Sequence, residues 1–239
     1  MVLMLQQNKY ILDILTRAGM TSYKPVDTPI STSKVIVMPD CLFSDLIWFH
    51  QIVGALQYLI TFTRLDICFA VNRVCQFMHA PTNSCWAAVK HILHYVQGMV
   101  SYGVHITRSS FFTLRGFTDV DWAGSIDDRK FMGGYLVFFG HTPISWKSSK
   151  QCTIARSSIE AEYKALADDI AEVIWLQYLL SDLHITPSSA STIWWDNLSA
   201  TYLSANLIFH SHTKHIKVDY HFVCDRVAKK EIQIRFISS

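Results

Sequence analysis

The sequence predicts a mixed α/β chain, in which a mostly helical segment at residues 1–107 precedes a domain at residues 108–239. Apolar residues recur at helical spacing in the first segment and in short runs typical of strands in the second. The second segment also has a characteristic order of elements: three strands, a long helix, a strand, two helices and a strand. This order is typical of a mixed sheet flanked by helices.

The predicted elements of the first segment are helices and one loop. Apolar spacing predicts a helix over residues 10–15, and Gly19 follows where a C-cap glycine would end it. Prolines and hydroxyl residues predict a loop over residues 25–39, because proline removes a backbone donor and hydroxyl groups compete for backbone bonds. Three further helices are predicted at residues 47–59, 67–78 and 86–96.

Short apolar runs with turn residues between them predict the strands of the second segment. Three adjacent runs predict an antiparallel meander at residues 114–119, 134–139 and 143–147. A helix over residues 158–183 follows, and its largely apolar circumference suits burial against a sheet. The remaining predicted elements are a strand at 191–196, helices at 198–203 and 218–229, and a strand at 231–237.

The composition indicates a folded chain without a membrane span. Of the 239 residues, 50% are hydrophobic and 17% are charged, with a net charge of +2. Disordered chains combine low hydrophobicity with high net charge, so that class is excluded. The longest apolar stretch, residues 52–62, is far shorter than the roughly 20 residues of a spanning helix. The small net charge also excludes nucleic-acid binding by bulk charge alone, so any such binding must be local.

The amino terminus and the cysteines favour an intracellular protein, cytoplasmic or nuclear. The first seven residues have no basic segment and no small-residue cleavage site, so they do not resemble a secretory signal. No CxxC pair occurs among the six cysteines, which predicts neither a zinc site nor a disulfide framework.

Three carboxylates lie where predicted strands end or the long helix begins: Asp119, Glu160 and Asp196. Converging carboxylates bind hard cations such as Mg²⁺, and a pair of such ions can activate water in phosphodiester cleavage. Each residue also has a structural alternative. Glu160 with Ser157 fits an S-x-x-E capping box. Asp119 could begin a turn, and Asp196 could cap the helix that follows it.

Motifs along the chain point to one family. The second segment contains FTDVDWAG at 117–124, ARSSIEAEYKAL at 155–166, WDN at 195–197 and TKHI at 213–216. In order and spacing, these motifs resemble the ribonuclease H domain of copia-type LTR retrotransposon Pol polyproteins. Upstream, VGALQYL at 53–59, TRLDI at 63–67 and CQFM at 75–78 resemble the stretch that joins the reverse transcriptase of that family to its ribonuclease H. The resemblance implies a ribonuclease H-like mixed sheet after a reverse transcriptase and connection remnant.

The resemblance implies hydrolysis of the RNA strand of an RNA–DNA hybrid with two Mg²⁺ ions, or with Mn²⁺. Asp119, Glu160 and Asp196 fall on three of the family's four metal-binding carboxylates. Asp121 is the weaker neighbour of Asp119, because the family pattern is Thr-Asp. Glu160 and Glu162 do not face one metal pair together, since two residues on a helix are about 200° apart, and we favour Glu160.

Departures from the family leave alternatives open. The family's fourth carboxylate lies in a helix after the last strand, which the sequence does not reach before Ser239, so we expect impaired activity. Asp219 is a weaker substitute, because it precedes that strand. The family's Thr-Arg-Pro-Asp reads Thr-Arg-Leu-Asp at 63–66, and the Tyr-x-Asp-Asp motif of the polymerase does not occur. The alternatives are a non-catalytic nucleic-acid-binding remnant and an unstable, pseudogene-like fragment, and remaining Pol segments could act in trans.

Cations and polar groups close to the acidic residues in sequence are candidate nucleic-acid contacts. Such groups bind phosphates and 2′-hydroxyls, and the 2′-hydroxyl distinguishes RNA from DNA in a hybrid. A solvated surface is the alternative for scattered Lys and Arg. The candidates are Arg129, Lys147, Lys150, Arg156, Ser157, Ser158 and Asn197.

Overall fold

The structure of the chain, a computed structural model, describes residues 2–31, 40–108, 111–121, 130–151, 155, 157–196 and 217–238. The chain divides into two compact units, Val2–Ile106 and Thr107–Ser239. The predicted α/β class with a mixed sheet is confirmed. Among the described helices, none combines the length and the apolar character that crossing a membrane requires.

The unit Val2–Ile106 consists mainly of helices. They are α1 (Asn8–Arg17), α2 (Leu46–Phe62), α3 (Cys68–Cys75) and α4 (Asn83–Gly98), with a 3-10 helix at Leu65–Ile67. Two strands, β1 (Val2–Gln6) and β2 (Gly103–Thr107), pair with each other. The sequence pattern does not predict these strands. The reason is clearest for β1, which is exposed along its whole length and has no alternation between buried and exposed positions.

Local sequence explains where the helices of this unit begin and end. Asp45 caps α2, because its Oδ1 accepts the backbone N–H of Trp48 at 2.8 Å. Gly19 follows α1 with a φ of 66°, as its predicted C-cap role requires. The buried sides of the helices then form one core, which includes Ile11, Ile14, Phe49, Ile52, Leu56, Val71, Val89 and Leu93.

The unit Thr107–Ser239 is a five-stranded sheet with helices. Its strands are β3 (Leu114–Asp121), β4 (Met132–Phe139), β5 (Thr142–Lys150), β6 (Ser191–Trp195) and β7 (Ile232–Phe236), in the order β5-β4-β3-β6-β7. The predicted antiparallel meander of β3, β4 and β5 is confirmed. β6 pairs parallel with β3, and β7 pairs parallel with β6. The helices are α5 (Ser158–Asp182) and α6 (Lys217–Ala228), and the predicted helix at 198–203 lies outside the described residues.

Helix α5 packs closely against β3 and β4. A Cβ atom at Gly116 of β3 would lie only 2.5 Å from Oδ2 of Asp169, so this close approach requires a glycine. On β4, a Cβ atom at Gly133 would lie 3.5 Å from the Cβ of Ala165. These two contacts identify the side of α5 that faces the sheet. The core of the unit lies between this side of the helix and the apolar residues of β3, β4 and β6.

Strand alternation gives the sheet two different faces. Gly116 faces α5, and Trp195 of β6 does so as well, because its ring lies 5.4 Å from the ring of Tyr163 on α5. The neighbouring residues Phe117 and Trp194 face away from α5 and stack on each other at a centroid distance of 6.5 Å. The second face is therefore aromatic and only half-buried.

Candidate catalytic site

Two of the three predicted carboxylates lie side by side at the carboxyl ends of two inner strands of the sheet. Asp119 is near the end of β3, and Asp196 directly follows β6. Thr118 pairs with Trp195 in parallel register, so the two aspartates occupy the next matched positions. Adjacent strands are about 4.8 Å apart, and both aspartate side chains are exposed. The structure thus brings Asp119 and Asp196 together as neighbouring oxygen donors.

Asp119 lies on the face of the sheet that turns away from α5. Alternation along β3 puts Asp119 on the same side as Phe117 and opposite to Gly116. Its Oδ1 atom accepts the N–H of Val120 at 2.7 Å. This local bond fits the turn-forming alternative, and the exposed carboxylate still has lone pairs for a cation. The side chain of Asp121 lies outside the described residues.

Glu160, the third predicted carboxylate, is turned away from the sheet. Nine residues separate it from Asp169, a rotation of about 900°, which puts it half a turn from the side that faces β3. Its Oε1 atom forms an ion pair with Nζ of Lys164 at 2.9 Å, and its side chain is 7% exposed. The structural alternative also has support, because Ser157 is the N-cap of α5 and its Oγ accepts the N–H of Glu160 at 3.2 Å.

Asp219 of α6 lies in the electrostatic field of the same residues. Burial raises the pKa of Asp219, Lys164 lowers it, and the charges of Asp168 and Glu160 raise it further. Glu160 therefore belongs to a charged cluster between α5 and α6. Its assignment as a metal ligand beside Asp119 stays a prediction.

Glu162 lies on the side of α5 that faces the sheet. Seven residues separate it from Asp169, a rotation of about 700°, so the two differ in direction by only about 20°. Its side chain is half-buried. Glu162 therefore faces the side of the sheet that carries Gly116, whereas Asp119 lies on the opposite side, so its helical phase does not favour it over Glu160 as the third carboxylate.

Asp119 and Asp196 provide part of the ligand set that a divalent metal needs. Asp119 and Asp196 supply carboxylate oxygen atoms, which Mg²⁺ prefers. Within the part of the chain that the structure describes, no three side chains of His, Cys, Asp or Glu lie close enough to hold one ion. The two aspartates thus fit part of a metal site, and the complete three-carboxylate site stays a prediction.

The predicted nucleic-acid contacts are only partly within the described residues. Lys147 is exposed on β5, Lys150 ends that strand half-buried, and Ser158 begins α5 next to the N-cap Ser157. The positions outside the described residues are Arg129, Arg156 and Asn197. The roles of all seven residues stay predictions.

A buried acidic group beneath β3 is absent from the sequence predictions. Asp169 is fully buried, and neither of its carboxylate oxygens has a hydrogen-bond partner among the described residues. Burial, and then the charge of Glu172, raises the pKa of Asp169 to about 8. Glu172 itself accepts a hydrogen bond from Ser145 Oγ at 2.7 Å. Helical spacing could have revealed this group, because Asp169 shares the apolar side of α5 with Leu166 and Val173.

A solved structure shares the fold of this chain. The foamy viral protease-reverse transcriptase in complex with double-stranded DNA has a TM-score of 0.50 and 9% identity, over 98% of this chain and 42% of that one. The amino-terminal ribonuclease H domain of a Mycobacterium tuberculosis protein has a TM-score of 0.39 and 10% identity, over 53% of this chain and 84% of that one.

Sequence relatives match nearly the whole chain, although no family model matches it. It is 42% identical over 236 residues to the retrovirus-related Pol polyprotein from transposon RE2 of Arabidopsis thaliana, which is 98% of this chain and 16% of that polyprotein. The Pol polyprotein from transposon TNT 1-94 of Nicotiana tabacum is 36% identical, over 99% of this chain and 18% of the relative. The mitochondrial protein AtMg00810 of Arabidopsis thaliana is 43% identical over 72% of both chains. This chain spans less than a fifth of the polyproteins it matches, and it belongs to the family of retrovirus-related Pol polyproteins from copia-type transposons.

Proposed function

We propose that the second unit is a ribonuclease H-type nuclease that hydrolyses the RNA strand of RNA–DNA hybrids. The observation that carries the proposal is the matched pair of exposed aspartates, Asp119 and Asp196, at the carboxyl ends of two parallel strands. The family supports it, since the relatives are transposon Pol polyproteins. The foamy viral neighbour was solved with double-stranded DNA, which is consistent with a nucleic-acid ligand.

The residues of the site would act through their charge and position. Asp119 and Asp196 would hold divalent ions together with a carboxylate from the start of α5, for which we propose Glu160, with Glu162 as the alternative. Bound Mg²⁺, or Mn²⁺, would supply electrostatic activation of water and stabilisation of the leaving oxygen. Because both aspartates are exposed at the carboxyl ends of their strands, they can contact a phosphodiester backbone without rearrangement of the core.

The partners and location follow from the same proposal. The ligand is an RNA–DNA hybrid, inside the cell where such hybrids form, in the cytoplasm or the nucleus. Remaining Pol segments are proposed partners in trans, because the relatives are Pol polyproteins.

A second candidate function is nucleic-acid binding without cleavage. It is favoured by the ion pair that neutralises Glu160 and by the missing third ligand among the described residues. A chain of this kind would bind a hybrid through its cations and leave the RNA strand intact.

A cleavage assay with the full chain separates these functions. We expect slow Mg²⁺-dependent cleavage of a labelled RNA–DNA hybrid, in keeping with the expected impairment, and no cleavage of single- or double-stranded RNA. Asp119→Asn and Asp196→Asn should each lower the rate about 100-fold, because each removes a ligand charge. Binding without cleavage would support the second function. Cleavage that survives both substitutions would contradict the assigned site.

Glu160 and Glu162 give a matched pair of variants for the third ligand. Glu160→Gln is expected to lower the cleavage rate about 100-fold, because the proposed ligand charge is lost. Glu162→Gln should change the rate less than tenfold, because Glu162 faces the side of the sheet opposite to Asp119. Single-turnover rates and melting temperatures of both variants make the comparison. The opposite order of rates would make Glu162 the ligand.

A further inference from the structure

The outward side of α5 carries large apolar side chains where the exposed side of a helix is usually polar. These residues are Trp175, Tyr178, Leu179 and Leu183, and more than half of the surface of Trp175, Tyr178 and Leu183 is exposed. Trp175, Leu179 and Leu183 follow one another at intervals of four residues, and Tyr178 lies three residues after Trp175, so the four side chains form one patch.

An exposed carboxylate flanks Trp175 in each direction along the helix. Asp168 lies seven residues before Trp175, and Asp182 lies seven residues after it. Seven residues are a rotation of about 700°, so the three side chains point within about 40° of one another. Each aspartate is about 10 Å from Trp175 along the helix axis, and both are exposed. We call the two aspartates and the four apolar residues the outer stripe.

The cations next to the outer stripe are paired with other carboxylates. Lys164 of α5 forms its ion pair with Glu160 at 2.9 Å. Arg226 of α6, which interacts with Tyr178, forms its ion pair with Glu231 at 3.0 Å. The outer stripe therefore presents an apolar centre between two negative charges.

The two ends of the outer stripe differ in the strength of their negative charge. Asp168 lines a small cavity together with Lys147 and Lys150 of β5, so two ammonium groups reduce the negative potential at this end. At the other end, the sequence has no lysine or arginine between Lys164 and Lys214. Asp182 is therefore the stronger attachment point for a cation.

The size and charge of the outer stripe suit a single helix rather than a second copy of this chain. A fully exposed aromatic side chain presents roughly 150–250 Å², so the four apolar residues together present about 400 Å². Each partner of a stable protein–protein interface contributes about 800 Å², twice this area. A two-fold pair centred on Trp175 would also bring Asp168 of one copy against Asp182 of the other, where like charges repel.

The same carboxylates disfavour nucleic acid as the occupant of the outer stripe. Phosphates would meet negative charge on both sides of Trp175 and would be repelled. A protein helix with cations at matching positions meets no such repulsion, and its apolar side can cover the exposed rings.

We propose that the outer stripe binds an amphipathic helix of a protein partner that carries lysine or arginine at both ends of its apolar side. The apolar side packs on Trp175, Tyr178 and Leu179, and the cations pair with Asp168 and Asp182. The distance between the two aspartates, about 20 Å along the axis, corresponds to about four turns of the partner helix. The inference is independent of the nuclease proposal, because it uses none of the proposed metal ligands.

Peptide binding to the full chain tests the inference. The probe is a labelled helical peptide of about 18 residues, with leucines along one side and lysines about fourteen residues apart at the ends of that side. Its twin has glutamates in place of the lysines. In low salt, we expect fluorescence anisotropy to show roughly tenfold tighter binding of the basic peptide, because each end of the twin changes attraction into repulsion.

Variants of the outer stripe should change this binding in specific ways. Trp175→Ala is expected to weaken binding of the basic peptide about tenfold, because a buried aromatic anchor is lost. Asp168→Lys combined with Asp182→Lys should reverse the preference towards the acidic twin. Of the two single changes, Asp182→Lys should have the larger effect. Tyr23→Ala is the matched control, since Tyr23 is as exposed as Trp175, at 55%, but lies in the other unit, and it should leave binding unchanged.

The result for the wild-type chain decides first. Equal affinity for the basic peptide and its acidic twin overturns the inference, and so does equal affinity for a peptide of the same composition whose leucines are spread around the helix. Unchanged binding by folded Trp175→Ala also overturns it. Dimers of the wild-type chain in analytical ultracentrifugation that Trp175→Ala abolishes would identify a second copy as the occupant and overturn it as well. The cleavage assay of the nuclease proposal is unaffected by each of these outcomes.

Discussion

Replacing Asp169 by Asn or Leu is expected to stabilise the protein at neutral pH and to remove a pH dependence of its unfolding. The pKa of the buried carboxyl is raised from 3.8 to about 8, so the folded state holds a proton that the unfolded state has lost. The contribution of Asp169 to the free energy of unfolding is therefore most favourable below pH 3.8 and is lost as the pH rises towards 8. Because the free energy changes by about 1.4 kcal/mol per pH unit, the stability of the wild-type chain falls by about 4 kcal/mol between pH 4 and pH 7.

Urea unfolding between pH 5 and pH 9 measures this effect as the difference between variant and wild type. Asp169→Leu should give the larger gain, because it also removes two buried oxygens that have no hydrogen-bond partner among the described residues. Asp168→Asn is the control, since that neighbouring carboxylate is exposed and its neutralisation should change stability little. If the free energies of unfolding of the wild type and Asp169→Asn change in parallel with pH, Asp169 is charged in the folded state and the prediction is wrong.

Replacing Arg64 by Ala is expected to destabilise the helical unit by about 3 kcal/mol, the lower end for breaking a buried ion pair. The Arg64 side chain is fully buried, and its Nη2 lies 2.7 Å from Oδ2 of Asp66. Nη1 donates to the carbonyl of Met99 at 3.1 Å, and the guanidinium lies 5.8 Å from the centroid of the Tyr95 ring. The lower end applies because Asp66 is 29% exposed and water can solvate it after the change.

Arg17→Ala is the matched control for this prediction. Arg17 pairs with Asp13 at 3.1 Å in the same unit, but both side chains are exposed, so the loss should stay below about 0.5 kcal/mol. The loss of stability for Arg64→Lys should lie between those of Arg17→Ala and Arg64→Ala, because an ammonium group does not reproduce the forked contact of a guanidinium. Chemical denaturation followed by circular dichroism gives all three values. Equal losses for Arg17→Ala and Arg64→Ala would refute the structural role of Arg64.

The buried ion pair of Arg64 also gives a structural reason for two residues of the TRLDI motif, which the sequence alone relates only to a family pattern. The TRLDI segment keeps Arg64 and Asp66, which form the buried pair, while Leu65 replaces the proline of the family pattern and begins a 3-10 helix. A helix start accepts either residue, because its first N–H groups have no intrahelical partner. The departure is therefore compatible with a folded helical unit.

Most elements could be predicted because local sequence determines them. The meander, the long helix and the C-cap at Gly19 depend on apolar spacing and on backbone preferences of neighbouring residues. The two strands of the helical unit could not be predicted in this way. β1 is exposed and pairs with a segment nearly a hundred residues away, so no local pattern marks it.

The sequence by itself determined the family, the order of elements and the residues from which a site could be built. Only the tertiary structure decided which of these residues meet. Asp119 and Asp196 are neighbours because β6 pairs parallel with β3 in one register. Sequence spacing shows that Glu160 and Glu162 point in opposite directions, but the contact between Asp169 and Gly116 decides which of them faces the sheet. Spacing along a helix is a local property, whereas the direction in which the helix faces is set by packing against residues far away in the chain.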